Sequence, residues 1–152
     1  MRVSELLNTE LIQINFTAGS KEQAIESLMN LADKTGKILN RSEALQGVLD
    51  REALMSTALE HGVAIPHAKT SSVDGMAMVM AVSKEGIDFD SADGSLSHVF
   101  FLLLAPESAA GQNIKVLAQI ARLTSDQPLC ETLRSADSAE EVYRLIVKAE
   151  NE

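Results

Sequence analysis

The amino-acid sequence is poor in the residue types that mark disulfide-bonded and membrane-spanning proteins. Its 152 residues include one cysteine, Cys130, so no disulfide can form within the chain. Aromatic residues make up only 3% and tryptophan is absent, so we expect a core of Leu, Ile, Val, Ala and Met. No apolar run approaches the ~20 residues that a transmembrane helix needs, and the N-terminus does not resemble a signal peptide. These features predict one globular domain over residues 1–152.

Basic residues are also scarce. The chain has 13 Lys and Arg against 22 Asp and Glu, which gives a net charge of −9. Nucleic acids and anionic membranes attract clustered Lys and Arg, so neither is an expected partner. Cys130 lies in an apolar stretch without a basic neighbour, which favours a buried thiol over a reactive one. A single unpaired cysteine also fits a cytoplasmic location.

The sequence motifs of common catalytic and cofactor sites are missing. The three histidines, His61, His67 and His98, have spacings that match no metal site. The sequence has no G-x-S-x-G element for a nucleophilic serine and neither of the glycine-rich nucleotide-binding motifs. We therefore expect no metal and no cofactor.

Hydrophobic periodicity predicts alternating strands and helices. A short strand at residues 11–16 precedes two helices that begin at capping boxes, residues 20–23 and 40–43. Apolar segments at 63–65, 76–82 and 99–105 predict strands; the last two runs do not alternate, which indicates burial on both faces, although buried helices are an alternative for them. Helices are predicted at 113–124, at 127–133 and from 138. The order β-α-α-β-β-β-α-α-α, with helices flanking a buried sheet, predicts a three-layer α/β/α sandwich.

His67 differs from the other histidines in its setting. It follows Pro66, whose ring fixes the backbone, and Ile65 before the proline is pushed towards an extended conformation. An apolar strand is thus expected to end in a rigid step next to an imidazole, and strand ends commonly hold the sites of α/β sheets. Imidazole titrates at about pH 6.5, so His67 is a candidate nucleophile or base. The alternative is a structural or incidental histidine.

Three segments resemble one known family. Residues 51–68, REALMSTALEHGVAIPHA, with GIDFD at 86–90 and FLLLAPE at 101–107, resemble IIA domains of the fructose/mannitol type. These domains belong to the bacterial phosphoenolpyruvate-dependent phosphotransferase system and include the nitrogen-regulatory IIA proteins. The resemblance extends from Leu11 to Ile146 and implies a three-layer fold with a small mixed sheet.

The resemblance implies that His67 is a phosphoacceptor. In this family the histidine of the Pro-His pair accepts a phosphoryl group from the phosphocarrier HPr or its nitrogen-branch relative. It then passes the group to a IIB domain or holds it as a regulatory mark. Arg51 corresponds to the family's arginine near the active histidine, with a helix C-terminal cation as the alternative role. The hydroxyls of Ser56 and Thr57 would contact the phosphate, with turn bonding as their alternative role.

Two positions depart from the family pattern. Asn113 stands where sugar-specific members carry a second histidine; its amide can donate to a phosphate oxygen but carries no charge, and it is also a good helix N-cap. Glu60 stands where the family often has glycine and would repel a phosphate if it pointed towards His67. The chain also has no room for a IIB domain or a permease.

These features favour regulation over sugar transport. We expect a phosphotransferase component that is phosphorylated on His67 and acts on potassium uptake, nitrogen-linked transcription or a transporter. The alternative is a IIA-like binding module, weakly phosphorylated or not at all, that regulates a transporter or kinase by direct contact. A hydrolase that uses His67 as base ranks third, because no paired nucleophile is visible.

Overall fold

The computed structural model describes all of residues 1–152. Its strands are β1 (Ile12–Gln13), β2 (Ala58–Leu59), β3 (Val63–Ala64), β4 (His67–Lys69), β5 (Ala77–Ile87) and β6 (Ser97–Ala105). Its helices are α1 (Val3–Leu6), α2 (Lys21–Ala32), α3 (Arg41–Leu54), α4 (Ala110–Thr124), α5 (Gln127–Arg134) and α6 (Ala139–Glu150). None of these helices has both the length and the apolar character needed to cross a membrane.

The six strands form one mixed sheet. Its order is β1-β5-β6-β3-β2, and β4 also pairs with β6. The long central pair, β5 and β6, is antiparallel, and β1 joins β5 in parallel. Both β3 and β4 run parallel to β6, beside residues 99–100 and 103–105 respectively. The mixed sheet that the family resemblance implied is therefore confirmed.

Helices cover both faces of the central strands. Every residue of β6 is buried, and so are the first seven residues of β5. Helix α2 packs against β5 and β6 and α3 against β4, whereas α5 packs against β5 and β6 and α6 against β1. Side chains alternate between the two faces of a strand, so complete burial requires a layer on each face. The predicted α/β/α sandwich is confirmed, as is the assignment of the two apolar runs to strands.

Helices α2 and α3 begin where the predicted caps place them. Ser20 Oγ accepts a hydrogen bond from the N–H of Gln23 at 3.1 Å, and Asn40 Oδ1 accepts one from Glu43 at 3.1 Å. In the first box, the Gln23 side chain accepts from the amide of Gly19 at 2.9 Å. These oxygens satisfy N–H groups that have no partner within the first helical turn.

Three features differ from the sequence prediction. The strand predicted at residues 11–16 is reduced to β1, because Asn15 adopts a left-handed backbone with φ of 53° and breaks the alternation. The helix predicted from residue 113 begins at Ala110, so Asn113 lies in its first turn and not at its N-cap. Periodicity does not predict α1, β2 or β4, because elements of four residues or fewer are too short to show a period.

Phenylalanine contributes more to the core than its low abundance suggests. All four phenylalanines are buried among the aliphatic side chains. The Phe100 ring of β6 packs edge-to-face against Phe16, at 5.6 Å between centroids, and against Phe89, at 5.4 Å. Phe100 therefore joins the segment after β1 and the segment after β5 to the centre of the sheet.

Replacing Phe100 with alanine should lower the free energy of unfolding by about 3–5 kcal/mol, because it removes a fully buried ring and leaves a cavity. Urea unfolding followed by circular dichroism measures this change. Leu39→Ala is the control, since Leu39 is exposed and its loss should change stability by less than about 0.5 kcal/mol. Equal stability of the two variants would contradict the central position of the aromatic cluster.

Candidate functional site

His67 is the first residue of β4, the strand that pairs with one edge of β6. It pairs with Leu103, while β3 pairs with the same strand at residues 99–100. Ile65 and Pro66 lie between β3 and β4 and belong to neither strand, and the Pro66 carbonyl accepts from the N–H of Leu103 at 3.1 Å. The rigid step before His67 is present. As expected, β3 ends before this step, and the chain pairs with β6 again from His67 onward.

The imidazole of His67 has one nitrogen fixed by the backbone. Its Nδ1 lies 2.7 Å from the carbonyl oxygen of Ile65. A carbonyl oxygen can only accept, so the geometry assigns the proton to Nδ1. In the neutral ring this tautomer leaves Nε2 with a lone pair, and Nε2 makes no hydrogen bond within the protein.

The surroundings of His67 favour the neutral ring. Burial lowers the pKa of His67 below its ordinary value of 6.5, and the positive charge of Arg51 lowers it as well. The hydrogen bond to Ile65 and the negative charge of Glu52 act in the opposite direction. Burial is the largest effect, so the ring presents an unprotonated Nε2 at neutral pH.

Arg51 lies in the last turn of α3, close enough to act on the ring. Its Nη1 donates to the carbonyl oxygen of Met55 at 2.9 Å, so it satisfies a carbonyl at the C-cap of the helix. The guanidinium has five N–H donors, and this bond uses one of them. The structural and the functional roles anticipated for Arg51 are therefore compatible.

The hydroxyls of Ser56 and Thr57 donate within the protein. Ser56 Oγ donates to the carbonyl oxygen of Phe89 at 2.5 Å and accepts from the N–H of Ala58 at 3.1 Å. Thr57 is buried and its hydroxyl donates to the carboxylate of Glu52 at 2.6 Å. Both hydroxyl protons are thus engaged, and the turn-bonding alternative describes their positions.

Asn113 is buried, with only 4% of its surface exposed, and its Oδ1 has no hydrogen-bond partner. It lies in the first turn of α4, which follows the end of β6 that pairs with β4. Among the candidate site residues, it is the one whose side-chain oxygen is buried without a partner. An unpaired buried amide oxygen costs about 1–3 kcal/mol, so the surrounding structure must hold this side chain in place.

Sequence analysis missed a buried carboxylate next to the arginine. Glu52 is 5% exposed, accepts a hydrogen bond from the N–H of Thr57 at 2.8 Å and forms an ion pair with the ammonium of Lys21, also at 2.8 Å. A signal for it existed, because Glu52 follows Ala44 and Val48 at intervals of four residues on the buried face of α3. A glutamate at a core position of a helix is almost never fully buried unless it is paired.

The remaining polar residues singled out in the sequence lie outside this arrangement. The side chain of Glu60 is 75% exposed and lies 3.8 Å from His61, so its carboxylate faces solvent. His98 is buried and its Nδ1 contacts the carbonyl oxygen of Ser83 at 2.9 Å, so its ring has a structural role between β5 and β6. Burial raises the pKa of the Cys130 thiol to about 11, which confirms an unreactive core cysteine.

Comparison with known proteins identifies the family. Residues 5–149 match the family described as "Phosphoenolpyruvate-dependent sugar phosphotransferase system, EIIA 2". The chain is 37% identical over 147 residues to the nitrogen regulatory protein of Bradyrhizobium diazoefficiens, which covers 96% of this chain and 95% of that protein. It is 33% identical over 146 residues to the fructose-specific EIIABC component of Bacillus subtilis, but there it spans only 23% of the relative's length.

A solved structure shows the same fold. The crystal structure of the nitrogen regulatory protein IIA-Ntr from Neisseria meningitidis superposes with a TM-score of 0.88 at 31% identity, covering 95% of this chain and 98% of that one. Together with the family match over residues 5–149, this similarity places the chain in the EIIA 2 family of the phosphoenolpyruvate-dependent sugar phosphotransferase system, whose members are phosphotransferase components.

Proposed function

We propose that the protein is a phosphocarrier or regulatory IIA protein that accepts a phosphoryl group on Nε2 of His67. The main support is the 2.7 Å hydrogen bond from Nδ1 to Ile65, which leaves Nε2 as the free nucleophilic nitrogen. A half-buried, neutral imidazole beside a guanidinium suits attack on a phosphoryl group. The proposed donor is HPr or its nitrogen-branch relative.

Phosphoryl transfer to this ring needs no separate base. The Nε2 lone pair forms the new bond to phosphorus while the bond from phosphorus to the donor side chain breaks, and its electron pair stays with the donor. Nδ1 keeps its proton, so the ring of His67 becomes positively charged as the bond forms. The carbonyl oxygen of Ile65 accepts from that proton throughout and stabilises the developing charge.

Two side chains are proposed to contact the phosphoryl oxygens. Arg51 supplies positive charge from the end of α3, and its unused N–H donors can reach oxygens that carry the charge of the transferring group. Asn113 supplies an uncharged amide donor from the first turn of α4. Ser56 and Thr57 would contribute only after their present hydrogen bonds break.

We further propose that phosphorylation serves regulation rather than sugar transport. Asn113 cannot carry the proton or charge that a second histidine would bring to onward transfer. The regulated target would be a transporter or kinase that binds the protein directly.

His67→Ala should abolish phosphorylation. The purified protein is incubated with labelled phosphoenolpyruvate, enzyme I and either HPr or the nitrogen-branch carrier, and an acid-labile, alkali-stable label is counted. His61→Asn is the matched control and should label normally, because asparagine tolerates the left-handed backbone at that position, where φ is 63°. Absence of label on the wild type with both donors would reject this function and leave the directly binding module.

Arg51→Met should slow the appearance of the label by about 10²- to 10³-fold, because it removes a preorganised cation from the transferring group. Arg51→Lys should recover part of this loss, since it restores charge without the forked geometry. Rapid-quench sampling at saturating donor measures the rate. Arg122→Met, which removes an exposed arginine from α4, should transfer at the wild-type rate. A normal rate for Arg51→Met would exclude the guanidinium from the reaction.

The decline in the rate of phosphorylation at acid pH should have its midpoint below pH 6.5, because the pKa of His67 is lowered in the folded protein. Stability should follow the same direction. The unfolded chain takes up this proton at a higher pH than the folded one, so His67 and His98 contribute full stability above 6.5 and lose it as the pH falls through their folded pKa values. A midpoint above pH 6.5 would contradict the lowered pKa.

A further inference from the structure

One ion pair and three hydrogen bonds form a continuous path from α2 to the ring of His67. Lys21 Nζ lies 2.8 Å from Glu52 Oε2, and the same oxygen accepts from the N–H of Thr57 at 2.8 Å. The carbonyl oxygen of Thr57 accepts from the N–H of Ile65 at 3.1 Å. The carbonyl oxygen of Ile65 accepts from Nδ1 of His67 at 2.7 Å. Residues from two helices and two loop segments therefore determine the position of one imidazole.

The centre of this path is almost fully removed from water. The side chain of Glu52 is 3% exposed and that of Lys21 is 12% exposed. Glu52 Oε1 also accepts the hydroxyl of Thr57 at 2.6 Å, so both carboxylate oxygens are engaged. A buried ion pair of this kind adds little net stability over apolar residues of the same size. Its structural consequence is that Thr57 is held at two points, its main-chain N–H and its hydroxyl.

The lysine end of the path is itself fixed by the segment after β5. Lys21 Nζ lies 5.1 Å from the centroid of the Phe89 ring and 3.4 Å from the Asp90 carboxylate. Ser56 donates to the carbonyl oxygen of Phe89, so the same segment also holds the residue before Thr57. The ion pair is thus confined on both sides and cannot move without disturbing the turn after α3.

We infer that Glu52, with Lys21 as its counter-charge, is a positioning residue for the phosphoacceptor. It fixes Thr57 and, through the Thr57 carbonyl, the peptide at Ile65, so that the Ile65 carbonyl holds the proton on Nδ1 and leaves Nε2 free. The consequence for transfer rests on the proposed function of His67, whereas the effect on the ring does not.

The same carboxylate acts on the charge that forms during transfer. As Nε2 bonds to phosphorus, the ring becomes positive, and the nearby negative charge of Glu52 favours that state. Glu52 raises the pKa of His67 for the same reason, because its negative charge also favours the ring that has gained a proton. The charged groups that act on the ring are Arg51 and Glu52, adjacent residues of α3 with opposite effects.

The test compares the ring of His67 in the wild type and in Glu52→Gln, both unphosphorylated. Long-range ¹H–¹⁵N spectra recorded between about pH 5 and about pH 8 report the tautomer and the pKa of the ring. The wild type should show one tautomer, with the proton on Nδ1. Glu52→Gln should show a mixture of tautomers and a lower pKa. Its phosphorylation kcat should fall by up to about 100-fold through misplacement of the nucleophile, with the KM for the donor unchanged.

Matched variants separate positioning from a general loss of structure. Glu43→Gln changes an exposed carboxylate of the same helix and should leave the tautomer, pKa and rate unchanged. Thr57→Val removes the hydroxyl donor and should shift the tautomer, whereas Thr57→Ser should retain the wild-type spectrum. Where Glu52→Gln does not fold, Lys21→Met combined with it carries the same test, because this pair leaves no unpaired buried charge.

The two proposals fail in different ways. Wild-type tautomer, pKa and rate in folded Glu52→Gln and Thr57→Val would overturn the positioning role. A ring that responds to Glu52 as expected, in a wild-type protein that no donor labels, would overturn the proposed function and leave the positioning role intact.

Discussion

The site depends on one carbonyl group that the sheet does not use. Pro66 has no N–H, so the Ile65–Pro66 peptide cannot donate to β6, and pairing stops between β3 and β4. The carbonyl oxygen of Ile65 accepts from no backbone amide, although the carbonyl oxygen of Pro66 accepts from Leu103. The unused oxygen takes the Nδ1 proton of His67 instead. The Ile65 carbonyl thus determines which ring nitrogen is free.

Two adjacent residues of α3 then act on the ring with opposite charges. Residues next to each other on a helix point about 100° apart, so Arg51 can be half-buried and Glu52 fully buried. The arginine can reach the side on which a phosphoryl group would arrive, whereas the glutamate works from within the protein through Thr57. Because both act on the same ring, the balance of these charges, together with burial, sets its pKa. Under the proposed function, this arrangement would keep the nucleophile neutral and would still favour the cationic, phosphorylated ring.

The sequence predicts the layers of this fold well, because long apolar runs and capping residues are local signals. Residues 76–82 and 99–105 show their burial directly in their composition, and Ser20 and Asn40 mark helix starts. His67 could be singled out as the candidate nucleophile because it follows Pro66 and because of the family resemblance. The hydrogen bonds of Ser56 and Thr57 could not be predicted, because their acceptors, Phe89 and Glu52, are chosen by tertiary packing. The depth of Asn113 likewise depends on where α4 begins, which periodicity placed three residues late.

A single free nitrogen cannot distinguish one phosphorylated donor from another, so the choice of partner depends on the surface around it. Under the proposed function His67 offers Nε2 alone, and its proposed phosphate contacts, Arg51 and Asn113, are general phosphate-binding groups that any phosphorylated donor would satisfy. Discrimination must therefore come from side chains that touch the partner protein. Large exposed apolar residues follow both proposed phosphate contacts: Leu54 and Met55, 82% and 72% exposed, come after Arg51, and Ile114, 67% exposed, comes after Asn113. Apolar side chains left in water beside a reactive group are typical of contact surfaces. We therefore expect the proposed phosphate contacts and the partner contacts to be neighbouring residues, at the C-terminal end of α3 and the N-terminal end of α4.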